Sequence, residues 1–210
     1  MIDLFVRGGP LMVPILLASL CALAVFVGRV IALRRPRVVP HTLVEGVRTS
    51  LDRGAVADAL ALAREDPSSL GRILRAGLAH AGATRAEIKE RMEEVGRREH
   101  ADLMRYLSVI AVVASIEPLL GLLGTVTGMI GVFQGVVSQG VGDPAALASG
   151  IWAALITTAA GLATGIPAYI GWRYLYARVG DLTLEMEEQA IGVLDRIAAD
   201  GRAAVRAEAA

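Results

Sequence analysis

The strongest constraint on this chain is an apolar stretch at residues 117–137, which contains five glycines and, after its first residue, no charged side chain. The glycines recur every three or four residues, so on a helix they would share one face. They are Gly121, Gly124, Gly128, Gly131 and Gly135. In water each would weaken a helix by roughly 1 kcal/mol relative to alanine, but in a bilayer small residues are favoured where two helices press together. The stretch therefore predicts a transmembrane helix that packs against other helices, rather than a buried helix of a soluble protein.

The composition and the distribution of basic residues also indicate a membrane protein. Apolar residues make up 54% of the 210 residues, aromatic residues only 4%, and the formal net charge is zero. No lysine or arginine lies between residues 106 and 172, whereas Arg34, Arg35 and Arg37 directly follow the first apolar stretch. The positive-inside rule places that end of the stretch in the cytoplasm, which leaves the N-terminus outside. The single cysteine, Cys21, excludes an internal disulfide framework.

These patterns divide the chain into the segments of an all-α membrane protein. Three predicted transmembrane helices lie at residues 11–33, 107–137 and 147–172. The remaining segments are an external N-terminal segment at residues 1–10, a cytoplasmic helical domain at 34–106, a periplasmic turn at 138–146 and a cytoplasmic C-terminal helix at 173–210. Two of the three spans are thus expected to extend into a cytoplasmic helical domain.

Local signals set the expected helix boundaries. Gly54 follows a short helical pattern and should end it, while Thr84 and Glu87 form a capping-box pattern that opens a longer helix. No obvious stop follows Glu87, and a helix from there to the end of the second span would cover about 54 residues, or roughly 80 Å. Pro144 is expected at the first position of the third helix, with Asp143 as its N-cap. That helix should continue past the membrane, because an apolar stripe at helical spacing follows it. The stripe consists of Val179, Leu182, Met186, Val193 and Ile197.

No pattern in the sequence indicates catalysis, metal binding or nucleotide binding, so we predict no enzyme, no cofactor, no metal and no nucleic-acid partner. The polar groups expected inside the membrane are hydroxyls, namely those of Thr125, Thr127, Thr157, Thr158 and Thr164. Each either bonds a carbonyl of its own helix or lines a polar path between helices. Thr125 and Thr158 lie near the middle of their spans, so antiparallel packing would bring them to the same depth. They are the favoured pair for lining an ion path.

Glu117 is the one acidic residue that adjoins a span. The stretch from it to residue 137 is about one bilayer thick, which places Glu117 near the inner boundary. There it would act either as an interfacial cap before Pro118 or as a proton relay. If protons cross this chain, this placement leaves no mid-membrane carboxylate, so a titrating acid would come from another subunit. Gly161 and Gly165 join the five glycines above as predicted helix-packing positions.

Two stretches resemble the MotA/TolQ/ExbB proton-channel family, and most closely its TolQ/ExbB branch. They are PLLGLLGTVTGMI at residues 118–130 and GIWAALITTAAGLATGIPA at residues 150–168. The resemblance implies a subunit of a bacterial inner-membrane motor, which forms a pentamer around an ExbD/TolR-like single-span partner that carries a membrane aspartate. A TonB/TolA-like protein is a further implied partner. By position, Thr125 and Thr158 match the family threonines of the ion path, whereas Ala153 stands where glutamate is common.

Three functions are compatible with these observations. The first is a transducer in which a flow of H⁺ or Na⁺ past Thr125 and Thr158 moves partner helices and energises transport or envelope processes. The second is a non-conducting membrane scaffold that positions a partner subunit, which Ala153 favours. The third is a flagellar-stator-like torque generator that acts on a cytoplasmic rotor and would need charged residues facing that rotor.

Overall fold

The computed structural model describes residues 8–139 and 144–208, and within these ranges α-helices, joined by turns and short irregular segments, are the only regular secondary structure. The helices are α1 (Met12–Ala32), α2 (Arg35–Val38), α3 (His41–Asp52), α4 (Val56–Glu65), α5 (Ser69–Leu78), α6 (Arg85–Met104), α7 (Leu107–Gln139) and α8 (Pro144–Glu208). Helical stretches long and apolar enough to cross a membrane occur in three places: α1, the region of α6 and α7, and α8. The prediction of an all-α protein with three candidate membrane-spanning helices is confirmed.

The long helix expected to start after Thr84 is interrupted before the apolar region. Its first part, α6, ends at Met104, and the backbone turns at Arg105 and Tyr106 before α7 begins. Tyr106 has a φ of 65°, a left-handed conformation that costs a non-glycine residue roughly 1–3 kcal/mol and must be held by its surroundings. The expectation of one continuous helix was therefore wrong. Neither glycine nor proline marks the break, so no local pattern in the sequence indicated it.

The second apolar helix extends two residues past its predicted end at residue 137. The helix α7 continues through Ser138, whose hydroxyl donates to the carbonyl of Gln134 at 2.9 Å, and ends at Gln139. The next helix starts at Pro144, the position predicted for its first residue. The predicted N-cap, Asp143, lies outside the described residues.

The chain divides into two compact units. Residues 1–29 and 106–175 form the first, which we call the apolar unit, and residues 30–105 and 176–210 form the second, which we call the polar unit. The helices α1 and α8 contribute residues to both.

In the polar unit, short helices end where the sequence predicted. Gly54 follows α3 with a φ of 72°, a conformation that favours glycine. The capping box at the start of α6 is present in full, with the Thr84 hydroxyl accepting from the Glu87 backbone and the Glu87 carboxylate accepting from the Thr84 backbone. The Thr84 backbone N–H and then its hydroxyl lower the pKa of Glu87, because both stabilise the ionised carboxylate.

The C-terminal part of α8 is fixed within the polar unit by an apolar stripe and by ion pairs. The predicted stripe is buried, with each of Val179, Leu182, Met186, Val193 and Ile197 no more than 2% exposed. Around it, Arg35 donates to Glu185 at 2.8 Å and Arg85 donates to Asp195 at 2.8 Å. The prediction that the third span continues as a helix is therefore confirmed, and its apolar stripe is what buries it.

The ion pair between Arg72 and Glu99 joins α5 to α6 and should contribute measurably to stability. Arg72 Nε lies 2.5 Å from Glu99 Oε1, and Glu99 is only 5% exposed. We expect Glu99→Ala to lower the free energy of unfolding by about 2 kcal/mol, because it leaves a charge-assisted hydrogen-bond donor without its acceptor. The measurement is urea unfolding of the full chain in detergent, followed by loss of helical circular dichroism.

Glu94→Ala is the matched control on the same helix. Glu94 pairs with Arg98 across one helical turn, but both side chains are well exposed. Such a pair contributes less than about 0.5 kcal/mol. Equal destabilisation by the two variants would show that the Arg72–Glu99 pair has no special role.

Candidate functional site

The candidate site lies where α7 and α8 pack against each other in the apolar unit. A Cβ atom placed on Gly121 would lie 3.0 Å from Thr158 Cα, one on Gly128 would lie 2.8 Å from Ala154 Cβ, and one on Gly165 would lie 2.9 Å from Pro118 Cδ. Residue numbers rise along one helix as they fall along the other, so the two helices are antiparallel. Because the contacts at Gly121 are to backbone atoms, the helix axes approach closely there.

The predicted packing glycines fall into two groups. Gly121, Gly124 and Gly128 on α7 and Gly161 and Gly165 on α8 all lie in the contact between the two helices. Gly161 is the most constrained by backbone atoms, because a Cβ atom there would overlap the carbonyl oxygen of Glu117 and lie 3.1 Å from Gly121 Cα. Gly131 and Gly135, by contrast, have nothing within 4 Å of their Cβ positions. Only the first three glycines of the α7 stripe therefore pack against α8.

The helix α1 runs alongside α8 in the same direction. A Cβ atom on Gly171 would lie 3.0 Å from the Phe26 ring, and the Thr157 hydroxyl donates to the carbonyl of Gly8 at 2.7 Å. The order from Gly8 to Phe26 thus matches the order from Thr157 to Gly171. With α7 antiparallel to both, the three helices alternate in direction as successive membrane crossings must.

Thr158 makes a hydrogen bond across the contact between α7 and α8. Its hydroxyl donates to the carbonyl of Gly121 at 2.7 Å. Thr125 instead donates to the carbonyl of Leu122, within α7, at 2.7 Å. Since Thr125 lies four residues beyond Gly121, it is offset from Thr158 by about 6 Å along the helix axis. The structure therefore does not bring the two predicted ion-path hydroxyls to one depth.

Thr157 carries a buried hydroxyl. The sequence analysis included it among the membrane hydroxyls but did not assign it to the ion path. It is 1% exposed, and besides the bond to Gly8 its hydroxyl contacts the carbonyl of Ala153 at 3.1 Å. Its methyl group packs against Gly124. The signal that could have identified it is spacing, since Thr157 lies four residues before Gly161 and therefore on the face of α8 that packs against α7.

Glu117 lies inside α7, not at its end. The helix begins ten residues earlier, at Leu107, and continues through Pro118, so Glu117 does not cap a helix and that interpretation was wrong. Its side chain is 0% exposed. Neither carboxylate oxygen has a hydrogen-bond partner among the described residues. Thr164 of α8 approaches the carboxyl group, but the Thr164 hydroxyl donates to the carbonyl of Ala160 at 2.9 Å.

This antiparallel pair of apolar helices lies within the region that a family comparison matches. Residues 65–188, more than half of the chain, match the model of the MotA/TolQ/ExbB proton channel family. The chain belongs to the MotA/TolQ/ExbB proton channel family. This family is one of proton channels rather than of enzymes, and its assignment confirms the predicted resemblance.

Individual relatives of this family member come from several organisms. This chain is 35% identical over 186 residues to a putative ExbB-like biopolymer transport protein of Synechocystis. The match covers 83% of this chain and 70% of the relative. A putative ExbB homologue of Methanothermobacter thermautotrophicus is 32% identical over 69% of this chain and 51% of its own length. The TolQ protein of the Pseudomonas aeruginosa Tol-Pal system is 41% identical over 39% of this chain and 35% of its own length. The chain thus spans about half the length of the archaeal relative.

These relatives and the three apolar helices identify this family member as a multi-pass membrane protein of the ExbB/TolQ branch. The matched region includes α7 and the part of α8 that packs against it. The contact between α7 and α8, along which Thr157, Thr158 and Glu117 lie, is therefore part of the region shared with the family.

Proposed function

We propose that this chain is the larger subunit of a bacterial inner-membrane motor, in which ion flow moves an ExbD/TolR-like single-span partner and so energises transport or envelope processes. The observation that carries the proposal is the antiparallel pair of α7 and α8 in a proton-channel family member, with the Thr158 hydroxyl at their contact. Thr125 and Thr158 are the residues we assign to the lining of the ion path.

The topology that fits this function has the N-terminus in the periplasm and the C-terminus in the cytoplasm. Arg35 and Arg37 follow α1 directly, and Arg173 and Arg178 lie just past the apolar part of α8. The positive-inside rule favours the cytoplasm for both groups. Residues 34–106 and 173–210 would then form a cytoplasmic helical domain that extends two of the spans.

Assembly with other chains is supported by the surface that α7 leaves uncovered. Gly131 and Gly135 have open space around them, and they belong to a stripe of small residues of the kind that transmembrane helices use for close contacts. Large apolar side chains of the same helix, such as Leu119 and Phe133, are more than half exposed. We propose a homo-oligomer, a pentamer by analogy with the family, around the partner, with a TonB/TolA-like protein as a further component.

A non-conducting scaffold is the second candidate, and one observation favours it. Ala153 lies on α8 one turn before Thr157, where ExbB/TolQ-like proteins commonly have glutamate, and it supplies no ionisable group. A scaffold would keep the helix contacts described above but would not carry ions.

The experiment that separates these functions is ion flux through proteoliposomes that contain this chain together with its ExbD/TolR-like partner. We expect flux in the presence of a proton gradient, and we expect it to disappear when the membrane aspartate of the partner is changed to asparagine. Absence of flux from a complex of verified composition would contradict the transducer and support the scaffold.

A further inference from the structure

Glu117 is a carboxyl group buried without charge compensation. Its side chain is completely buried by the chain itself, and neither oxygen has a hydrogen-bond partner among the described residues. It is the only charged residue in α7, and no charged residue occurs in α8 before Arg173 or in α1 before Arg29. Burial of an ionised carboxylate without a partner is very costly, whereas burial of a protonated carboxyl group costs far less.

The neighbouring Thr164 hydroxyl can accept a hydrogen bond from a protonated carboxyl group. Thr164 Oγ1 lies 2.9 Å from the carbonyl oxygen of Ala160 and 3.3 Å from that of Gly161, so its single hydrogen can bond within α8. A hydroxyl carries one hydrogen and two acceptor lone pairs, so Thr164 Oγ1 is left as an acceptor. Only a carboxyl group that carries its proton can donate to it.

Counting from Leu107 and from Arg173 places Glu117 about 15 Å inside the inner ends of both apolar helices. The helix α7 begins ten residues before it, which is about 15 Å, or half of a hydrocarbon core of about 30 Å. On α8, Arg173 lies nine residues after Thr164, which is about 14 Å. The Arg173 guanidinium lies 6.0 Å from the centre of the Trp172 ring, a combination typical of a membrane interface. Both counts place Glu117 deeper in the membrane than the sequence analysis did. That analysis counted from residue 137 and put Glu117 at the inner boundary.

We propose that Glu117 is a proton-exchanging carboxyl group in the middle of the membrane, supplied by this chain itself and paired in its protonated form with Thr164. In the exchange step the Glu117 O–H bond breaks, the proton passes to a water molecule, and the carboxylate left behind takes up the next proton from water. No electron is transferred. Thr158 lies six residues from Thr164 along α8, about 9 Å, so a short water chain would connect the two groups.

Proton binding at Glu117 does not depend on the proposed motor function, but its part in ion flow rests on it. The first test therefore needs only this chain. Infrared spectroscopy of the protein in lipid vesicles at neutral pH should show the C=O stretch of a protonated carboxyl group. We expect Glu117→Gln to remove this band and Glu90→Gln, at an exposed position of α6, to leave it unchanged. A wild-type spectrum without the band, or a band that survives in Glu117→Gln, would overturn the proton site.

The second test measures the role of the site in flux, in proteoliposomes with the ExbD/TolR-like partner. We expect Glu117→Gln to lower proton flux about a hundredfold, and Glu117→Asp, which can still exchange a proton, to retain part of it. Unchanged flux in Glu117→Gln would overturn the transport role while the motor function stands. Flux that is absent even from the wild-type complex would be a failure of the motor function, and the infrared band would then decide the proton site by itself.

Folding controls keep these outcomes distinct. Glutamine has nearly the shape of glutamate, so the variant should match the wild type in oligomer size and thermal midpoint. If Glu117→Gln does not fold, Glu117→Asp provides the same comparison, because its shorter side chain should shift the carboxyl band instead of removing it. A shortened side chain that leaves both the band and the flux unaltered would contradict the pairing with Thr164.

Discussion

Gly161→Ala should destabilise the packing of α7 against α8 more than any other single-methyl change considered for this protein. The added methyl group would overlap the backbone carbonyl oxygen of Glu117 and crowd the backbone of Gly121 at 3.1 Å. Backbone atoms cannot rotate away as a flexible side chain would, so the helices must separate. We expect a loss of about 1–3 kcal/mol, measured as a lower thermal midpoint of the full chain in detergent.

The same helix supplies a matched control for this change. Gly180 lies on α8 with nothing within 4 Å of its Cβ position, so Gly180→Ala adds the same methyl group without a clash. It should be neutral or slightly stabilising, because alanine is the better helix former. On α7, Gly121→Ala and Gly131→Ala form a second pair with the same contrast. Equal thermal midpoints for Gly161→Ala and Gly180→Ala would contradict the close backbone contact.

Thr158→Val should strongly reduce ion-driven function and leave the chain folded. Valine keeps the branched shape of threonine but loses the hydroxyl that donates to Gly121 across the helix contact. A hydrogen bond of this kind in a membrane contributes about 0.6 kcal/mol, so the stability loss should be small. If the hydroxyl conducts protons, flux in proteoliposomes with the partner should fall at least about tenfold.

Thr127→Val is the corresponding control on α7. The Thr127 hydroxyl donates to carbonyls of its own helix, Leu123 at 2.9 Å and Gly124 at 3.2 Å, and takes no part in the contact with α8. The variant should keep wild-type flux. A Thr158→Val complex that conducts as well as the Thr127→Val complex would remove Thr158 from the ion path.

Much of the fold could be predicted because its determinants are local. The capping box at Thr84 and Glu87, the turn at Gly54 and the start of α8 at Pro144 each depend on a few neighbouring residues. The apolar stripe of the C-terminal part of α8 follows from periodicity alone. The interruption at Tyr106 escaped prediction because neither glycine nor proline marks it.

The candidate site was predictable in its residue types but not in its arrangement. The sequence singled out the threonines and glycines of the two apolar helices, and the structure places most of these glycines in the contact between them. It also suggested one depth for Thr125 and Thr158, which the register of α7 against α8 does not provide. A shift of one helical turn changes which hydroxyls meet, and the apolar pattern is nearly the same before and after such a shift.

The sequence by itself determined three apolar helices, the capping box at Thr84 and the family to which the chain belongs, because hydrophobicity, capping and motif spacing are properties of contiguous residues. Only the tertiary structure decided which glycines touch and where Glu117 points. Those features depend on contacts between residues distant in the chain, such as Thr158 and Gly121, which are 37 positions apart. The burial of Glu117 is decided in the same way. The sequence of α7 does not indicate whether this side chain faces lipid or protein, and in the structure α8 covers it.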